Sequence, residues 1–168
     1  GVASRIEGVC ILVFYALAAG VSIFSGQNFG AGNFGRVGEA CRISVRYAFI
    51  WGAALAVLIW PFAGIIPTFF DKNPEVIAYT AQYLHWVPVS FGAMGALVVI
   101  NAALNATGRP IASTILVMLR AVVIYVPLAW FLQGKLGFMG IVLALTLTNV
   151  LAGIMAIYWQ RRHMSVPI

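Results

Sequence analysis

Long apolar stretches alternate with short polar connections along this chain. A helix rises about 1.5 Å per residue, so roughly 20 apolar residues cross the hydrocarbon core of a bilayer. Stretches of about that length or longer cover residues 8–25, 44–70, 77–104, 111–133 and 138–159. Gly, Asn and Pro, which end helices and turn chains, are concentrated in the connections. Lipid does not tolerate unpaired backbone groups, and barrel strands would be about half as long with strict alternation. The pattern predicts an all-α integral membrane protein with about five transmembrane helices.

Composition supports this prediction and narrows the function. Hydrophobic residues make up 62% of the chain and charged residues 8%, whereas soluble domains have about 45–50% and about 25%. Ser, His and acidic residues form no plausible nucleophilic set, and no His/Cys cluster has metal-ligand spacing. The sequence therefore predicts a membrane protein that is not an enzyme and that has no cofactor and no metal site.

Basic residues predict the orientation in the membrane. They fall mainly after the first, third and fifth spans, namely Arg36, Arg42, Arg46, Arg109, Arg161 and Arg162. The other set holds Lys72 and Lys135, with Arg5 at the opening end of the chain. Short loops rich in Lys and Arg stay cytoplasmic, so these connections and the C-terminus are expected there. The net charge of +6 then reflects topology, and no nucleic acid partner is expected because the arginines are spread over several loops.

The segment after the first span has an amphipathic pattern of its own. Arg36, Glu39, Arg42 and Arg46 recur every three to four residues, which places them on one helical face. We expect this helix to lie at the cytoplasmic surface, where its arginines contact anionic headgroups.

The connection after the first span also carries a specific motif. Residues 25–33 read Ser-Gly-Gln-Asn-Phe-Gly-Ala-Gly-Asn. This run resembles the loop that closes the second helix of each lobe in the multidrug and toxic compound extrusion (MATE) family. Residues 101–110, Asn-Ala-Ala-Leu-Asn-Ala-Thr-Gly-Arg-Pro, resemble a later cytoplasmic turn of that family, and residues 5–7 resemble the entry to the matching helix in one bacterial branch.

The resemblance implies that residues 1–168 are part of one lobe of a two-lobed transporter. Family members have two six-helix lobes, and this chain resembles helices eight to twelve of twelve. Its partner would be the missing N-terminal lobe of the same transporter, and the start without methionine is interpreted as an internal position. The implied function is export of cationic or amphipathic drugs through the bacterial inner membrane in exchange for H⁺ or Na⁺, with the fragment inactive alone. Two alternatives are a lipid-linked flippase of a related fold and a non-transporting subunit that completes a split transporter.

The loop motif itself has a structural interpretation. Gly26, Gly30 and Gly32 permit positive φ where a helix ends, and Gln27 and Asn28 can bond the free carbonyls of that terminus. Contact of this loop with substrate is the alternative.

Glu7 is the carboxylate closest to a membrane interior. A carboxylate inside a bundle can load a proton or bind sodium. Alternatively, Ser4 and Glu7 fit a capping box, with Ser4 as the N-cap of the first helix.

Polar residues on the third and fifth spans form two further candidate faces. Pro88, Gly92 and Gly95 interrupt the third span, and Ser90, Met94, Leu97, Asn101 and Asn105 follow one face at helical spacing. Thr146, Asn149 and Gly153 form a similar face on the fifth span. These faces are either interhelical hydrogen-bonding surfaces or the lining of a substrate pathway.

Arg120 is a charged residue within the fourth span. It lies about 14 Å from the predicted cytoplasmic end at helical rise. Its guanidinium must reach back to the cytoplasm or bond polar faces of neighbouring helices, or it repels a cationic drug.

Overall fold

The computed structural model describes residues 2–163, and helices make up nearly all of that range. The α-helices are α1 (Val2–Gly30), α2 (Phe34–Ile59), α3 (Pro74–Trp86), α4 (Phe91–Ala106), α5 (Pro110–Met118), α6 (Val126–Leu136) and α7 (Phe138–His163). Short 3-10 turns cover Trp60–Phe62, Ile66–Phe69 and Val87–Ser90, and Leu119–Tyr125 is π-helical. Consecutive pieces join into five long helices, because α3 continues through Val87–Ser90 into α4, and α5 continues through Leu119–Tyr125 into α6.

In the described part of the chain, five helices are long and apolar enough to cross a membrane. They are Ala3–Gly30, Phe34–Phe62, Pro74–Ala106, Pro110–Leu136 and Phe138–Arg162. The predicted all-α membrane fold is confirmed, and four of the five predicted stretches lie within these helices. We refer to the five as the first to fifth spanning helices.

The second spanning helix differs from the prediction at both ends. It begins at Phe34 rather than at 44, and its α-helical part ends at Ile59. The prediction of a separate helix on the cytoplasmic surface is wrong, because this segment is part of α2. Arg36, Arg42 and Arg46 lie on the exposed side of α2. Val37, Gly38, Cys41 and Val45 are buried on the other side. Packing against neighbouring helices thus continues the helix through the charged segment. Pro61 and Pro67 lie in the 3-10 turns that follow it.

The third spanning helix forms the centre of the bundle. Its most apolar stretch is 78% buried, whereas that of the fourth spanning helix is only 6% buried. Small residues allow this close packing: a Cβ at Gly52 of α2 would overlap the backbone of Gly92 on α4, and a Cβ at Gly153 of α7 would lie 2.7 Å from Ala93 Cβ. The third spanning helix thus packs directly against the second and the fifth.

The turns define two ends of the bundle. Gly32 and Gly108 have φ of 76° and 74°, and a Cβ at Gly26 would lie 3.7 Å from the Ala106 carbonyl oxygen. The turns after α1 and α4 therefore lie at the same end, which we call the basic end because the arginines of residues 36, 109, 161 and 162 lie near it. Of the three loop glycines expected to allow positive φ, only Gly32 adopts it; the other two lie inside α1, which extends through the motif.

The opposite end is closed by a capped turn. Asn73 is the N-cap of α3, and its Oδ1 accepts a hydrogen bond from the Glu75 N–H over 2.9 Å. Pro74 follows at the first helical position, where its missing N–H removes no helical hydrogen bond. This turn fixes the start of α3 and hence the depth of its polar side chains.

Candidate functional site

A series of hydrogen bonds links three parts of the bundle. Nη2 of Arg120 donates to Oδ1 of Asn149 over 2.8 Å, and Nδ2 of Asn149 donates to Oγ of Ser90 over 2.9 Å. Ser90 Oγ donates in turn to the Val87 carbonyl oxygen over 2.8 Å. Asn149 is 1% exposed and Ser90 is fully buried. Asn149 thus uses both its amide donor and its amide acceptor, as a buried polar group must.

Two helix irregularities position these side chains. Arg120 lies in the π-helical segment Leu119–Tyr125, whose wider turn is followed by Pro127, which has no N–H to donate to the preceding turn. Ser90 ends the 3-10 turn that contains Pro88. Both segments depart from α-helical spacing, so the direction of each side chain differs from that on a regular helix. Single-turn π-helical insertions within α-helices are often found at functional sites.

Glu7 is bonded across the bundle rather than at a helix end. Tyr83 Oη of α3 donates a hydrogen bond to Glu7 Oε2 over 2.6 Å. The capping-box interpretation is wrong, because α1 already includes Val2 and Ser4 lies within the helix. A half-buried carboxylate that pairs with a tyrosine on another helix instead fits the alternative, an ion-coupling group. That role stays a prediction.

The two groups of residues carry opposite charges within one bundle. Glu7 lies on α1, and the half-buried guanidinium of Arg120 lies on the fourth spanning helix. We therefore treat Glu7, Tyr83, Ser90, Arg120 and Asn149 as one candidate site, the polar network. It combines one carboxylate, one guanidinium, one amide and two hydroxyls inside a helical bundle.

The two asparagines of α4 lie apart from this network. Asn101 is half-buried, and its Oδ1 is buried without a hydrogen-bond partner among the described residues. Asn105 is exposed in the last turn of α4. Met94 and Leu97, which lie between Ser90 and Asn101 on the expected face, are buried in the hydrophobic core. The structure therefore does not continue one polar face along the helix, and a pathway role for either asparagine stays a prediction.

Tyr83 is the member of the network that sequence reasoning missed. It lies 76 residues from Glu7, and no local spacing relates the two. The available signal was chemical, because a tyrosine inside a membrane span usually finds a partner for its hydroxyl group. The other expected polar residue of the fifth span, Thr146, bonds within its own helix, where its Oγ1 donates to the Val142 carbonyl oxygen over 2.9 Å.

The fold and the site define a class of protein. Within residues 2–163, four bilayer-length helices surround an interrupted central helix of the same length, and ionisable groups are bonded inside the bundle. This combination is typical of secondary transporters. The sequence model of the MatE family matches residues 1–131. The chain belongs to this family of multidrug and toxic compound extrusion transporters, and the predicted resemblance is confirmed.

Individual relatives show how much of a transporter the chain represents. It is 31% identical over 168 residues to the FAD transporter of Shewanella oneidensis, a match that covers 100% of this chain and 37% of that protein. It is 27% identical over 161 residues to the probable multidrug resistance protein YpnP of Bacillus subtilis, covering 96% and 36%. The crystal structure of the Vibrio cholerae MATE transporter VcmN in the bent form matches with a TM-score of 0.92 at 22% identity, covering 96% of this chain and 37% of that one. The chain thus spans little more than a third of the length of these relatives.

Proposed function

We propose that this chain contributes part of the C-terminal lobe of a secondary active transporter, which exports small amphipathic molecules across the bacterial inner membrane in exchange for H⁺ or Na⁺. The observation that carries the proposal is the bonded carboxylate of Glu7 inside the bundle. In the proposed orientation the basic end faces the cytoplasm.

Glu7 provides a physical route to ion coupling. As a carboxylate it accepts the hydrogen bond from Tyr83 on α3 and attracts Arg120 on the fourth spanning helix. Loading a cation on Glu7 neutralises that charge, which weakens its attraction for Arg120 and competes with its bond to Tyr83. Ion binding thereby alters the contacts between three spanning helices, and a contact that differs between the loaded and unloaded states lets the ion shift the balance between conformations.

Arg120 favours an anionic substrate. Its guanidinium is held by Asn149, a neutral partner, so its charge is not cancelled by that bond. The guanidinium attracts phosphate or carboxylate groups and repels cations, and the carboxylate of Glu7 in the same network offsets part of this field. The relative that transports FAD, a molecule with a diphosphate, agrees with this choice.

Export of cationic or amphipathic drugs is the second candidate. It is favoured by the relative YpnP, which is described as a probable multidrug resistance protein. In this case Glu7 would attract the drug cation and Arg120 would be held away from it by Asn149. One measurement separates the candidates: vesicles that contain the full-length transporter should accumulate either FAD or a lipophilic dye cation.

The anionic candidate predicts that Arg120→Gln abolishes FAD transport. If the cationic candidate is correct, FAD is not transported, and Arg120→Gln leaves dye transport unchanged or raises it because a repulsive charge has been removed. Dye transport by the parent protein with no FAD transport would contradict the anionic candidate.

The coupling role of Glu7 is tested by separating exchange from gradient-driven transport. In proteoliposomes of the full-length transporter, Glu7→Gln should retain substrate exchange without a gradient but lose accumulation driven by H⁺ or Na⁺. Glu39→Gln is the matched control, because Glu39 is an exposed carboxylate on α2 outside the network. Full gradient-driven accumulation by Glu7→Gln would refute the assignment.

The same proposal implies that this chain is inactive alone. Rocking of two lobes around a central site requires both lobes. Expressed alone in a host without family efflux pumps, residues 1–168 should give no more drug resistance than an empty vector. Resistance above that level would contradict the two-lobed mechanism, whereas recovery on co-expression with the remaining helices would support a split transporter.

A further inference from the structure

A second polar feature lies outside the network, between α2 and α7 near the basic end. It is a cavity of about 660 Å³ whose polar lining consists of Arg42 and Arg46 of α2 and Gln160 and Arg161 of α7. Its apolar lining includes Phe49 and Ile157. We call this cavity the arginine groove. Nothing in the proposed transport mechanism uses it.

The groove carries uncompensated positive charge. Arg42, Arg46 and Arg161 are all exposed, and none of them forms a hydrogen bond or ion pair with another residue in the range 2–163. Among the described residues, none that lines the groove is acidic. By contrast, the neighbouring Arg162 already forms a hydrogen bond, since its Nη1 donates to the Tyr158 hydroxyl oxygen over 2.9 Å. Three free guanidinium groups in one concave site select an anion.

The two walls of the groove are joined by one polar contact. Nε2 of Gln160, which is 6% exposed, donates to the carbonyl oxygen of Gly38 on α2 over 3.5 Å. Gly38 and Cys41 are buried on the side of α2 opposite the exposed arginines. The two helices thus meet at Gln160, and the arginines lie on the exposed side of α2 next to that contact.

Depth in the membrane identifies the anion. The second spanning helix has 29 residues, so it is about 43 Å long and extends beyond a hydrocarbon core of about 30 Å. If it is centred, the Cα atoms of Arg42 and Arg46 lie about 5 Å and about 11 Å inside the hydrocarbon boundary. The Arg42 side chain then reaches back to the level of the lipid phosphates. The Arg46 side chain reaches only toward the hydrocarbon boundary, where local thinning of the bilayer brings a phosphate to its guanidinium. The apolar residue Phe49, about one turn deeper, extends the groove toward the acyl chains.

We propose that the arginine groove binds the headgroup of an anionic phospholipid, with the phosphate on Arg42, Arg46 and Arg161 and an acyl chain along Phe49. This combination of a basic mouth and an apolar floor fits a lipid better than a free phosphate ion, which would leave the floor unused. Because the groove lies outside the polar network, the lipid would hold α2 against α7 rather than take part in export.

The test measures lipid binding by native mass spectrometry. The full-length transporter in neutral detergent is titrated with phosphatidylglycerol or with phosphatidylcholine of the same acyl chains. The unaltered protein should retain phosphatidylglycerol selectively. The variant with Arg42→Gln and Arg46→Gln should bind it about thirtyfold more weakly, and Arg46→Gln alone about fivefold more weakly, since one basic residue near an anionic headgroup contributes a factor of about five. Arg36→Gln is the matched control, because Arg36 is an exposed arginine of the same helix that does not line the groove.

Four results would overturn the proposal. These are equal retention of both lipids, unchanged phosphatidylglycerol binding in the single and double groove variants, an equal loss in Arg36→Gln, or displacement of the lipid by millimolar inorganic phosphate. The last result would indicate a site for a soluble anion. The single variant keeps the test decisive if the double variant does not fold, and neither depends on transport activity.

Discussion

The hydrogen bond between Arg120 and Asn149 provides a quantitative test of the polar network. The perturbation is a double-mutant cycle with Asn149→Ala, Arg120→Met and the combined variant. Asn149→Ala removes the acceptor of a 2.8 Å charge-assisted bond and the donor of a 2.9 Å bond to Ser90. In water-soluble proteins a hydrogen bond to a charged group contributes about 1.5–3 kcal/mol. Inside membrane bundles the measured average is about 0.6 kcal/mol with a maximum of about 1.7 kcal/mol.

We expect a coupling free energy at the upper end of the membrane range, about 1–2 kcal/mol. The reason is that one partner is charged and the other is 1% exposed, so water does not replace the lost bond readily. Asn149→Ala alone should destabilise more than the coupling, because it also leaves a cavity and removes the donor to Ser90.

The assay is reversible unfolding of the full-length transporter in mixed micelles with a denaturing detergent, followed by circular dichroism. Asn105→Ala serves as the control, since Asn105 is exposed in the last turn of α4 and should change stability by less than about 0.5 kcal/mol. A coupling of Arg120 and Asn149 below about 0.3 kcal/mol, which is within simple additivity, would refute the reasoning.

Three further predictions follow from the packing and the topology. Gly52→Ala should destabilise the bundle by about 1–3 kcal/mol or more, because the new Cβ meets backbone of α4 that cannot rotate away. Gly20→Ala is the control: nothing outside its own helix lies within 4 Å of its Cβ, so the change should be neutral or slightly stabilising. The same unfolding assay compares the two variants, and equal stabilities would contradict the close packing. Cysteine placed at Asn73 should react with an impermeant reagent added outside cells and cysteine placed at Phe34 should not, and the reverse pattern would discard the proposed orientation. Asn101→Leu should reduce transport with little change in stability if its unpaired oxygen lines a pathway, whereas a stability loss with normal transport per folded molecule would assign Asn101 to packing.

The number of spanning helices and most of their bounds follow from the sequence alone. Lipid requires each crossing segment to satisfy its own backbone groups, so length and hydrophobicity are sufficient to identify helices. The same local chemistry located the turns, where Gly32 and Gly108 adopt positive φ and Pro74 begins a helix. Family membership was also readable, because the loop motif of residues 25–33 is local.

What required the tertiary structure was every feature that depends on contacts between distant segments. The helix start at Phe34 differs from the hydropathy pattern because buried residues on one side of α2 compensate for its arginines on the other. Glu7 fits a cap by spacing, and only the approach of α3 to α1 gives its carboxylate a partner in Tyr83. The sequence predicts only that Arg120 reaches back to the cytoplasm, bonds a polar face of some neighbouring helix, or repels a cationic drug. The π-helical turn and the packing of α7 determine that its partner is Asn149. Hydropathy and turn chemistry act over a few residues, whereas the pairing of a buried polar group depends on which helices become neighbours, and that is fixed by the packing of the whole bundle.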